Sequence, residues 1–73
     1  MKNKYLIIVE QSQTGFSAYC PDLPGCVATG SSKQEVENNM KQAIAFHLEG
    51  LKEDGKQIPD STTYSSYLDI EAA

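Results

Sequence analysis

Two cysteines, one histidine and a scatter of carboxylates are the side chains in this 73-residue sequence with the makings of a reactive or metal-binding site. Cys20 and Cys26 bracket the run CPDLPGC, with five residues between them. Zinc knuckles set paired ligands about two to four residues apart and complete four ligands with a second Cys or His pair, which this chain does not place nearby. A nucleophilic thiol needs a base or cation beside it, and the only histidine, His47, falls on the apolar stripe of a separate helical segment. A disulfide across the bend would need paired strand ends and an oxidising compartment. We read both sulfurs as packing atoms at strand ends, half buried, and His47 as a packed ring with one nitrogen satisfied.

The carboxylates allow a second chemistry. Glu35, Glu37, Glu49, Glu53 and Asp54 share one predicted helix, and Asp69 follows it. Convergent acids of this kind can hold divalent ions for phosphodiester cleavage. The first predicted strand, however, has no acid between Tyr5 and Val9. The expected reading is a solvated acidic surface, with no catalytic residue, metal or cofactor.

These residues must be positioned by few elements. Residues 4–10, rich in β-branched and aromatic side chains, read as a strand with Tyr5, Ile7 and Val9 on one face and Leu6 and Ile8 on the other. A polar turn ending at Gly15 leads to a second strand at about 16–20, and Cys26 to Gly30 make a third. Ser32 and Glu35 fit a capping box, with the glutamate reaching back to the cap residue. A helix over about 33–54 then buries Val36, Met40, Ala43, Ile44, His47 and Leu51 on one stripe, flanked by Phe46 and Leu48. Gly55 is its stop, with Pro59 soon after. A polar stretch at 60–66 precedes a last strand at about 66–71. The expected fold is a single α+β domain over 1–73, β-β-β-α-β, with one helix on an antiparallel three- to four-stranded sheet.

Pro21 and Pro24 fix φ and Gly25 permits positive φ, so the bend is expected to hold Asp22, Leu23 and Pro24 out as a stiff tip. One helix covers one sheet face. Leu6 and Ile8, with Tyr19 directed to the same side, are therefore expected to be buried in a homodimer or tetramer.

Charge narrows the partner. Six lysines oppose ten acids, there is no arginine, and the net charge is −4. The group best suited to bidentate phosphate contacts is missing, so direct nucleic-acid binding is not expected. Residues 1–32 are neutral overall, while residues 33–73 carry four lysines against eight acids. A basic partner is expected on the second half. No apolar run has the length of a membrane span, and the start lacks the features of a signal peptide, so the expected location is cytoplasmic.

The run FSAYCPDLPGCVATG at 16–30, the capped helix containing QAIAFHLEGLKEDG at 42–55, and Ile58-Pro59 resemble the HicB family of toxin–antitoxin antitoxins. The match covers residues 1–60 well and the tail loosely. The resemblance implies a partly degraded ribonuclease-H-like fold, usually dimeric or tetrameric. It also implies a role, that of covering the RNA-binding and active site of a small basic HicA-type toxin that cleaves mRNA. Contacts expected on that basis are the tip Asp22, Leu23 and Pro24, the helix acids Glu49 and Glu53, and the tail acids Asp69 and Glu71. Two-domain family members continue into a DNA-binding segment, whereas Lys56 is the only basic residue after this helix. DNA autoregulation is not expected. The alternatives are an oligomeric regulator with another partner, and a residual nuclease or thiol-dependent activity using Asp69 with helix acids or Cys20 and Cys26.

Overall fold

A computed structural model describes residues 4–72; the ends of the expected 1–73 span lie outside them. Strands β1 (Ile8–Gln11), β2 (Phe16–Tyr19) and β3 (Val27–Gly30) are followed by the helix α1 (Lys33–Glu53). The strands form an antiparallel meander in the order β1-β2-β3. The α+β class, with one helix on an antiparallel sheet, is as expected.

Residues 4–7 stay outside the ladder although their composition favours a strand. The reason lies across the sheet, where the carbonyl of Cys20 accepts the N–H of Leu23 at 3.1 Å and turns β2 into the bend. Tyr5 and Ile7 nonetheless pack against the core beside Val9, on the face the alternation predicts.

The register sorts the sheet into two rows. Val9, Ala18 and Ala28 pair across the strands on the helix side, and Ala18 is buried. Ile8, Tyr19 and Val27 pair across the opposite side. The helix lies over β3 and β2, so its stripe closes a small core of Ala18, Cys20, Leu23, Cys26, Val36 and Met40. Both cysteines are buried outright, at 3% and 5% exposure, a correction to the half-buried reading. The bend folds them under the helix instead of leaving them at strand ends.

Helix and sheet approach closely at Gly30. A Cβ there would stand 2.6 Å from the backbone nitrogen of Val36 and 2.9 Å from its Cα, so a residue without one is required. Ser32 caps α1 by accepting the N–H of Glu35 at 3.1 Å. Glu35 reaches back one residue further than expected, accepting from the N–H and the hydroxyl of Ser31, each at 3.0 Å. Ser31 offers two donors where the cap residue's backbone offers one. Those donors hold the Glu35 carboxyl below its ordinary pKa, the backbone N–H first. At the other end Gly55, at φ 70°, donates to the carbonyl of Lys52 and Lys56 donates to that of Leu51. This crossed pair is a Schellman stop.

The strand expected at 66–71 is not formed: among the described residues the sheet has no fourth strand. The chain after α1 is directed elsewhere. The Tyr5 hydroxyl donates to the carbonyl of Pro59, and the next residues are tied to Asp22. Beyond that point Tyr64, Tyr67, Leu68 and Ile70 are 78% exposed or more. The radius of gyration is 14.5 Å, against about 11 Å for a compact chain of this length.

Candidate protein-interaction surface

The CPDLPGC bend is two β-turns sharing one residue. Cys20 accepts from Leu23 and Leu23 accepts from Cys26, both at 3.1 Å. Each turn has proline at its second position, where φ near −65° is required. Gly25 takes φ 82° at the third position of the second turn, the left-handed position of a type II turn. Leu23 sits at the joint, and its side chain points inward with no exposure. The expected protruding contact at Leu23 is therefore corrected: two turns in series bring the chain back on itself, and the residue between them plugs the core. Pro24 remains exposed.

Asp22 is occupied by the chain's own tail. Its carboxylate accepts from the Thr62 hydroxyl at 3.1 Å, the Thr63 N–H at 3.2 Å and the Thr63 hydroxyl at 2.8 Å. These donors hold the carboxyl below its ordinary pKa, the Thr63 hydroxyl most of all. Burial pushes the Cys26 thiol up, with Cys20 adding to it. Such a thiol is a poor nucleophile. Among the described residues no three His, Cys, Asp or Glu side chains gather in a metal-binding cluster.

Three surfaces remain for a partner. The outer row of the sheet brings together half-buried Ile8, Tyr19 at 43% exposure and Val27 at 64%. On α1, Glu49 and Glu53 are exposed one turn apart. Third is the tail, where Asp69 and Glu71 are exposed in a segment without regular structure. His47 is half buried in a 410 Å³ groove lined also by Val27, Phe46 and Asp54. Phe46, expected beside the buried stripe, is 79% exposed because α1 turns that flank past the edge of β3.

A family model for a HicB-like antitoxin of bacterial toxin–antitoxin systems matches residues 5–71. This chain belongs to the HicB-like antitoxin family. Relatives of this HicB-like chain include a 14.9 kDa protein of Haemophilus phage HP1, 38% identical over 88% of the chain. The chain spans about half of that phage protein, 48% of its length. A UPF0150 protein of Thermoplasma acidophilum is 37% identical over 77% of this chain and 83% of its own length. Among solved structures, a chain of a HicA3 and HicB3 toxin–antitoxin complex superposes with a TM-score of 0.69 and 30% identity, covering 82% of this chain and 70% of the other. No helix among the described residues is long and apolar enough to cross a membrane.

Sequence reasoning missed Val27 on the outer row of the HicB-like sheet, though strict alternation from Cys26 would have placed it beside Tyr19. It also missed the threonine clasp on Asp22. That link joins residues 41 positions apart, and no local pattern announces it.

Proposed function

We propose that this HicB-like chain is a non-catalytic antitoxin that binds a small basic HicA-type toxin and covers its RNA-binding and active site. The observation that carries the reading is the likeness to a chain of the HicA3 and HicB3 complex over most of this domain. The excess of eight acids over four lysines after residue 32 supports it, because an anionic surface steers toward a cationic partner and competes with RNA for it. Glu49, Glu53, Asp69 and Glu71 are the contacts proposed, with exposed Pro24 at their edge. Leu6, Ile8 and Tyr19 are assigned to contact between copies in a dimer or tetramer. The setting is the cytoplasm, where Cys20 and Cys26 stay reduced.

The test is RNA cleavage by a small basic HicA-type toxin. Equimolar antitoxin is expected to stop it, and undiminished cleavage in excess antitoxin overturns the reading. Glu49→Lys with Glu53→Lys is expected to weaken the complex more at low salt than at high salt. Purified chain alone with magnesium is expected to leave RNA intact; cleavage abolished by Asp69→Asn would instead establish an enzyme.

A further inference from the structure

The tail and one flank of the helix fit each other, yet they do not meet within one molecule. Because α1 lies over β3 and β2, the inner side of residues 5–7, just ahead of β1, is left partly open. Tyr5, Ile7, Met40 and Ile44 line one hollow of 330 Å³ there, and Tyr5, Ile44, Leu48 and Ile58 line an adjoining one of 460 Å³. Shared Tyr5 and Ile44 make these a single apolar groove between α1 and residues 5–7, the segment that leads into β1. Its rim is mixed in charge, with Glu37 and Lys41 toward one end and Glu49 and Lys52 toward the other.

The tail has the pattern of a strand that would fill such a groove. Tyr64, Ser66, Leu68 and Ile70 alternate with Ser65, Tyr67, Asp69 and Glu71, so one face is largely apolar and the other ends in two acids. Extended from Thr63 to Glu71 it reaches about 26 Å. The groove follows α1 from Glu37 to Lys52, about 22 Å at helical rise.

Its own tail does not take the groove. Thr62 and Thr63 are clasped to Asp22 in the bend beyond β2, and the chain continues outward to a long dimension of 53 Å. The accessible surface is 6229 Å², where a folded 8.0 kDa monomer presents about 4,450 Å². The excess of about 1,800 Å² per chain is of the size that obligate dimers bury.

We infer that two copies exchange tails, each laying residues 64–71 along the segment 5–7 of the other with Leu68 and Ile70 in the groove between that segment and α1. The exchange is reciprocal, so one two-fold axis closes it and no open polymer results. The Asp22 clasp sets the direction in which each tail leaves. This inference stands independently of the toxin reading and is tested on the antitoxin alone.

The experiment places a photo-crosslinking residue at position 68 of the full chain and mixes isotopically light and heavy protein. Expected are crosslinks from the tail of one isotope to the Lys41–Lys52 peptide of the other, together with a dimer in sedimentation. Leu68→Asp with Ile70→Asp is expected to weaken that dimer at least about tenfold. Tyr67→Ser, on the opposite face of the strand, is expected to change it less than about twofold. Circular dichroism should show the helix intact in all variants, since these side chains are outside the monomer's core. Same-isotope crosslinks alone would mean that the tail folds back on its own groove. A dimer without tail crosslinks would mean association through the outer sheet face, and a monomer would mean no exchange. Each of these three results overturns the inference.

Discussion

Asp22 and Thr63 lie 41 positions apart in sequence and are joined by two hydrogen bonds, one from the Thr63 N–H and one from its hydroxyl. The link fastens the segment after the helix to the bend between β2 and β3, and so decides where the acidic tail of this HicB-like chain begins.

The clasp has a pH dependence with a definite sign. The threonine donors favour the ionised form and lower the folded-state pKa of Asp22. Their contribution is therefore present above the unfolded aspartate pKa of about 3.9 and is lost as pH falls through the lower folded value. Amide exchange at Thr63 is expected to accelerate relative to the helix below about pH 4. Asp22→Ala should reproduce that acceleration at neutral pH, and unchanged Thr63 protection in this variant would remove the clasp from the account.

Leu23 should behave as a core residue, whatever its place in a loop. Leu23→Ala is expected to cost about 2–5 kcal/mol, against a total of roughly 5 kcal/mol for a domain this small. Urea denaturation reads the difference as a lower midpoint with the slope unchanged. A loss under about 0.5 kcal/mol, typical of surface sites, would contradict the inward plug.

The two thiols should react only when the chain opens. Burial raises the Cys26 pKa in the folded state, with Cys20 adding to the effect. The stability tied to its protonated form is held below the unfolded thiol pKa and lost as pH rises through the folded one. Alkylation of Cys20 and Cys26 at neutral pH is expected to follow the denaturant midpoint of the fold. Rapid labelling of the native protein would contradict their burial.

The outer row offers a separate test of association. Tyr19→Lys leaves the helix side of the sheet untouched, so folding stability should shift by no more than about 0.5 kcal/mol. If Ile8, Tyr19 and Val27 meet another copy, the same change should weaken self-association at least about tenfold in sedimentation. An unaltered oligomer would free this face for another role.

Much of the architecture was legible because it rests on local rules. Alternation placed Tyr5, Ile7 and Val9 on the core side and Ile8 on the other, where it pairs with Tyr19. Ser32, Glu35 and Gly55 marked the ends of α1 to within a residue, since caps are contacts between near neighbours. Val36 and Met40 were identifiable as core residues from helical spacing alone.

What failed did so where a distant part of the chain overrode a local signal. Tyr67 to Glu71 alternate as a strand does, but a strand needs a neighbour, and contacts of Pro59, Thr62 and Thr63 lead the tail away from its own sheet edge. Proline and glycine announce a turn without saying which side chain turns inward, so the bend alone points to a protruding tip where Leu23 in fact plugs the core. The sequence by itself determined the elements, their apolar faces and the acidic second half, all set by spacing along a few residues. Only the tertiary structure decided that the bend plugs the core, that Asp22 holds the tail, and that an apolar groove stays open between α1 and residues 5–7, because each depends on which remote segments meet.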